Sequence, residues 1–105
     1  MRRGEIWLAE AGRKTRPVLV LTRDGVIDVR ELVTVAEVST SIRGLAAEVG
    51  LDHGEVGLQA PCVVNCDGLH TIPKRSLTRH VGEVDRGVLQ RVCRAASYAL
   101  GCEVP

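Results

Sequence analysis

Arg16-Pro17-Val18-Leu19-Val20-Leu21-Thr22 is the stretch on which the fold turns. The run after the proline is β-branched and Leu-rich, has the length of a short strand, and is bounded by polar residues, so it reads as a buried strand. Proline has no N–H to give to a ladder, which makes Pro17 the expected first position of that strand. Arg16 then stands at the strand mouth beside a rigid neighbour. A guanidinium held there suits a phosphate, because it stays charged at any working pH and presents a fork of donors that matches phosphate oxygens.

Outward from this stretch the chain reads as short strands. Gly4 to Ala9 alternates Ile6 and Leu8 with Glu5 and Trp7, and the polar loop Glu10–Thr15 joins it to the strand at Arg16–Thr22. Arg23-Asp24-Gly25 has turn chemistry. A third strand is expected over Leu32–Val38, bounded by Ser39-Thr40-Ser41, and a short one over Ala46–Leu51, followed by a loop over Asp52–Gly57. Cys62–Cys66 reads as another strand, with a bend at Asp67-Gly68 before Leu69–Ile72 and a turn at Pro73–Ser76. Leu77–Val84 is the last, with Gly82 marking a bulge or bend. Asp85 is a good N-cap; Val88, Leu89, Val92, Cys93, Ala96 and Leu100 recur at helical spacing, and Gly101 ends the helix. Strands followed by one amphipathic helix predict a mainly β fold with a C-terminal helix: a small, strongly bent sheet closing into a barrel, as one domain over residues 1–105.

Composition bounds the function classes. A chain of 105 residues, 45% hydrophobic and 26% charged, has the size and balance of one soluble domain with a modest core. No apolar run approaches the ~20 residues that span a bilayer. The N-terminus carries Arg2 and Arg3 but no apolar stretch of a signal peptide, so a cytoplasmic location is expected, without membrane attachment. Net charge is only +1, which excludes a broadly cationic nucleic-acid binder but leaves room for a local basic groove. Arg13, Lys14 and Arg16 cluster in one segment, and Lys74, Arg75 and Arg79 in another. Either alone reads as a solvated surface; the two converging would make a phosphate track.

The four cysteines, Cys62, Cys66, Cys93 and Cys102, include no CxxC pair, and the three histidines are scattered. That spacing is poor for zinc, so no metal site is expected and the cysteines read as free thiols.

Arg3-Gly4-Glu5-Ile6-Trp7, Thr15-Arg16-Pro17-Val18-Leu19-Val20-Leu21, the block Asn65 to Leu77 and Val81-Gly82-Glu83-Val84 occur in this order. Together they make the chain resemble the MazF/PemK family of toxin endoribonucleases, from Arg3 to Gly101. The resemblance implies a dimeric SH3-like barrel, the CcdB/MazF-type toxin fold. Such an enzyme cuts single-stranded RNA at short sequences without the ribosome, needs no metal or cofactor, and leaves a 2′,3′-cyclic phosphate and a 5′-hydroxyl. It also implies a partner, a labile antitoxin whose disordered, often acidic segment lies along the toxin groove. mRNA is the expected substrate, with tRNA and rRNA as other classes.

The family's usual catalytic pair is an arginine before the strand-two proline and a threonine ending strand three. Arg16 matches the first. The family's A-P-L-T-S pattern falls on Ala36-Glu37-Val38-Ser39-Thr40, which puts Ser39 at the threonine position and Glu37 where proline is common. Thr40 substitutes if the register slips by one, a shift that turns the side chain to the other face. Ser39 also has the simpler reading of a strand-end hydroxyl making a local turn bond. Arg13, Lys14, Thr15, Thr40, Asp67 and His70 are the expected substrate contacts. Histidine as a residue type suits acid or base work, but for His70 a polar side chain lining the groove is the favoured reading. Asp67 has a structural reading at the strand bend beside that of contacting a base edge. Trp7, the one aromatic near the barrel, is expected in packing.

Two rivals stay open: a CcdB-like toxin that binds DNA gyrase and cleaves nothing, and an SH3-like module gripping a peptide. The RNase needs Arg16 with a strand-three hydroxyl, whereas a gyrase binder does not. A peptide groove is usually aromatic-lined, which this composition cannot supply.

Overall fold

The computed structural model describes residues 1–102; residues 103–105, the end of the expected domain, lie outside the described residues. The elements are β1 (Glu5–Ala11), β2 (Lys14–Val20), a short helix α1 (Asp24–Ile27), β3 (Leu32–Ser39), β4 (Glu48–Leu51), β5 (Cys62–Pro73), a 3₁₀ turn (Lys74–Ser76), β6 (Leu77–Glu83) and α2 (Arg86–Ala99). The strands form one six-stranded sheet in the order β4-β5-β3-β2-β1-β6 with antiparallel neighbours.

Both faces of the central strands are buried, which is why Val18-Leu19-Val20 reads as continuous apolar sequence rather than alternation. Ile6, Leu19, Ala36, Val38, Val64 and Cys66 meet Val92 and Ala95 of α2 on one face. On the other face Ala9, Val18, Val20, Val33 and Val35 pack with Ile27 of α1 and with Leu77. The expected helix is present: the Asp85 side chain accepts the Val88 N–H at 2.8 Å, and Gly101, at φ +73, turns the chain just past its end. Leu100, expected on the packed face, is exposed because the helix stops at Ala99.

The edges β4 and β6 share no ladder. The loop after β4 crosses to β6 instead, and it does so backbone against backbone. A Cβ on Gly57 (φ +81) would stand 2.6 Å from the Val81 carbonyl oxygen, and one on Gly82 would overlap the Val56 carbonyl. Glycine at both positions lets the bent sheet close on itself by contact, giving the barrel-like shape without a closed ring of hydrogen bonds.

Three of the differences from expectation have a clear physical cause. β2 begins at Lys14, not Arg16, because Gly12 (φ +65) permits a tight hairpin and Ala11 already pairs with Lys14. Arg16 is therefore inside the strand rather than at its mouth, and Pro17 is not its first residue. β5 runs unbroken for 12 residues. The bend at Asp67-Gly68 is a bulge within it, since Ala36 pairs with Leu69 while its neighbour Glu37 pairs with Asn65, and Cys66, Asp67 and Gly68 are left over. Finally, Asp24–Ile27 winds into α1 instead of a plain turn, and that turn of helix buries Ile27.

The four cysteines are free, as expected, with Cys62 and Cys66 buried and Cys102 exposed. Burial, and secondarily the neighbouring Asp67 and Cys93, push the Cys66 thiol up to about 11; burial also raises Cys62. Because the thiolate is the nucleophile, iodoacetamide at pH 8 is expected to modify Cys102 first and Cys66 only on unfolding. Peptide mass spectrometry over a labelling time course reads that order; early modification of Cys66 would contradict the packing described.

Candidate active site

The site is made where β2 and β3 come apart. Their register runs from Val20 opposite Val35 to Val18 opposite Glu37 and stops there. Leu21 donates its N–H to the Thr34 carbonyl at 2.9 Å. Donors aimed at β3 alternate along an antiparallel strand, so the next are Leu19 and then position 17. Pro17 has no N–H, so its carbonyl can accept from Val38 but it returns no bond, and the paired register ends there. The β1 side is untouched, because Pro17 stands opposite Leu8 with its nitrogen turned the other way, and the β1–β2 register continues to Lys14.

Carried two residues past its last pair, the β2–β3 register sets Arg16 opposite Ser39. The two strands part there around an open cleft of ≈ 390 Å³, lined by Lys14, Thr15, Arg16, Ser39 and Thr40 with Pro17 and Val38. Period two along each strand puts Arg16 on the face of Val18 and Val20, and Ser39 on the face of Val33 and Val35, which is the same face. Thr40 lies just past the end of β3 and also lines the cleft. Ser39 Oγ accepts the Ser41 N–H at 3.0 Å, the local turn bond expected of a strand-end hydroxyl. Its own hydrogen is left to donate.

Arg16 also borders a second hollow of ≈ 230 Å³. There it meets Glu10, Glu37 and His70 over Val18, Val35 and Ile72. His70 Nε2 lies 3.3 Å from Glu37 Oε1. The Glu37 carboxyl rests against Gly68 in the β5 bulge, where any Cβ would collide with it. The sequence reading treated Glu37 only as a departure from proline. The signal that places it was present all the same, since Val35, Glu37 and Ser39 alternate onto one face.

Not every expected contact arrives. Arg13 occupies the exposed tip of the β1–β2 hairpin, outside both hollows, because the hairpin is tighter than expected. Asp67 is exposed on the bulge, lines neither hollow, and donates its backbone N–H to Asn65 Oδ1 at 3.1 Å. The two basic clusters do not converge. Lys74 Nζ donates to the Ile27 carbonyl at 2.6 Å, and Arg79 lines a separate hollow with Gly57, Gln59 and His80. Trp7 packs half-buried against the second core cluster, edge-on to His80 with ring centroids 5.5 Å apart, as a packing residue. Among the described residues no helix is long and apolar enough to cross a membrane.

The family model for PemK-like, MazF-like toxins of type II toxin–antitoxin systems matches residues 2–100. The chain belongs to this family. It is 38% identical over 102 residues to a probable endoribonuclease MazF2 of Mycobacterium tuberculosis, covering 97% of this chain and 100% of that one. The solved M. tuberculosis toxin MazF-mt6 superposes with a TM-score of 0.89 at 37% identity, covering 95% and 99% of the two chains. A MazE–MazF structure from Deinococcus radiodurans gives a TM-score of 0.79 at 26% identity, with 98% of each chain covered. In this PemK/MazF-like chain Arg16, Ser39, Glu37 and His70 all lie inside the matched span.

The missing donor at Pro17 makes a direct prediction. Pro17→Ala supplies an N–H, so the ladder is expected to extend to Val38 and the cleft to narrow. The new amide at position 17 should become protected from hydrogen exchange while RNA cleavage falls about tenfold or more. A freely exchanging amide with unchanged activity would show that the proline does not hold the strands apart.

Proposed function

We propose that this chain is a sequence-specific endoribonuclease that cuts single-stranded RNA in the cleft between β2 and β3, leaving a 2′,3′-cyclic phosphate and a 5′-hydroxyl without a metal or cofactor. The observation that carries the reading is the placement of Arg16 and Ser39 on one face, opposite each other across that cleft. Family membership and relatives that bear endoribonuclease names support it.

In such a reaction the RNA's own 2′-oxygen attacks the adjacent phosphorus as the bond to the 5′-oxygen breaks. Negative charge gathers on the non-bridging oxygens, and fixed donors there lower the barrier. Arg16 supplies charge and a donor fork; as a proton carrier it is unsuited, because a guanidinium is essentially never neutral in water. Ser39 donates its hydroxyl hydrogen to a phosphate oxygen or orients the attacking hydroxyl, with Thr40 beside it. Lys14, Thr15 and Thr40 hold the flanking backbone and His70 contacts the nucleotide at the cut, while Arg13 and Asp67, outside both hollows, reach only nucleotides farther along the strand. With no aromatic side chain lining either hollow, the bases are read by polar and backbone contacts rather than stacking. The same aromatic-free lining gives the peptide-binding reading no support.

The chain acts in the cytoplasm as a single-domain protein and a homodimer, held inactive by a cognate antitoxin. An acidic antitoxin segment would be drawn to the Lys14 and Arg16 side of the cleft, the surface the RNA phosphates use, so inhibition is by occupation. The MazE–MazF complex of the D. radiodurans relative supports a partner of that kind.

The test is purified protein with a long single-stranded RNA in EDTA, with cut ends mapped. Cuts at a recurrent short sequence, ending in cyclic phosphate and reduced roughly 10²–10³-fold or more by Arg16→Ala, are expected; the same preparation should scatter light at twice the chain mass. RNA left intact by the folded wild-type protein would overturn the endoribonuclease reading and favour a non-catalytic, gyrase-binding toxin.

A further inference from the structure

We propose that His70 is the general base of the cleavage step and that Glu37 is its positioning residue, an inference that rests on the endoribonuclease reading above. That reading leaves a gap. The 2′-hydroxyl must lose a proton, and neither Arg16 nor Ser39 is suited to take one near neutral pH. Arg16 is the residue common to the cleft and to the hollow of ≈ 230 Å³, and in that hollow stands the one kind of side chain whose ordinary titration falls in that range.

The geometry fits a base. His70 Nε2 is 3.3 Å from Glu37 Oε1, and a carboxylate on that side of the ring favours the tautomer with its N–H on Nε2. In that tautomer Nδ1 carries the lone pair. A carboxylate behind an imidazole fixes the tautomer and orientation and stabilises the imidazolium once the proton arrives. The backbone enforces the pairing. Both side chains lie on the Arg16 face, and the β5 bulge brings Gly68 under the Glu37 carboxyl, where a Cβ would push that carboxyl out of its present position. Stability does not account for the pair, because the side chains are 53% and 45% exposed, and an ion pair so solvated contributes little to folding.

In the step itself, Nδ1 of His70 takes the 2′-hydroxyl proton and the 2′-oxygen's electron pair forms the bond to phosphorus. The bond from phosphorus to the 5′-oxygen breaks, and that oxygen takes a proton from water in the open cleft. The imidazolium then returns its proton to solvent. Arg16 on β2 lines the hollow with the imidazole as a cation and Glu37 on β3 as a carboxylate; Glu10 on β1 borders it with its side chain alternating to the other face, and Asp67 lies on the same strand three residues away. Glu37 is the group in direct contact.

Single-turnover kinetics across pH, on an oligonucleotide carrying the mapped cut site, tests the assignment. Wild-type activity is expected to fall toward acid as the imidazole protonates. His70→Gln should lower the plateau rate about 10²- to 10⁴-fold and remove the acid limb, and added imidazole should partly restore His70→Ala. Glu37→Gln removes the carboxylate that orients the imidazole, so its plateau should fall, Glu37→Asp should restore part of it, and the double variant with His70→Gln should lose no more than His70→Gln alone. A merely structural role for Glu37 would lower the double variant further. Full activity and an unchanged acid limb in His70→Gln, with Arg16→Ala still inactive, would overturn the assignment and leave the endoribonuclease reading standing. An inert wild-type enzyme would overturn both. Matching circular dichroism and melting temperature in every variant keeps a folding defect from passing as either result.

Discussion

Pro17 has no hydrogen to give the carbonyl of Val38, and the candidate site follows from that absence. Had the ladder between β2 and β3 continued, Arg16 and Ser39 would have become an ordinary cross-strand pair, with no cleft for a phosphate between them. The proline ends one ladder while leaving the other whole, because its nitrogen faces β3 and the β1 pairing does not use it. The unzipped end stays rigid for the same reason. Strand β2 remains paired to β1 down to Lys14, so the guanidinium is carried on a fixed backbone rather than on a loop.

A second irregularity equips the other side of Arg16. The bulge at Cys66, Asp67 and Gly68 changes the register between β3 and β5 and sets a glycine beneath Glu37. Glu37 and His70 then meet next to the arginine, on the same face of the sheet. Arg16 thus borders two hollows, one with hydroxyls and a lysine, the other with a carboxylate and an imidazole. Charge stabilisation and proton removal are different tasks, and the sheet offers a separate group for each on either side of one guanidinium.

Much of this was legible in the sequence, and the parts that were not share a cause. The central apolar run and the terminal helix with Asp85 and Gly101 follow from local pattern, whereas the pairing of Arg16 with a hydroxyl at the end of the third strand is what the family resemblance implies. The register that sets Ser39 opposite Arg16, with Thr40 beside it in the cleft, comes from the β2–β3 pairs. The tight hairpin that leaves Arg13 outside the cleft depends on one positive-φ glycine, and turn residues alone did not fix its length. Asp67 lies outside the hollows and Lys74 is turned from the cleft because a bulge and a contact to the distant Ile27 carbonyl are tertiary facts. Glu37 was read as a departure from the family pattern, although its alternation with Ser39 already put it on the Arg16 face.

The central claim is that Arg16 and Ser39 act together on one phosphate across the gap that Pro17 opens. A double-mutant cycle with Arg16→Ala and Ser39→Ala, read as kcat/KM on the mapped cut site, measures that directly. The account predicts strong non-additivity, with the double variant losing little more than Arg16→Ala alone and a coupling above about 1 kcal/mol. Losses that add within about 0.5 kcal/mol would mean that the two side chains work independently, and would contradict it.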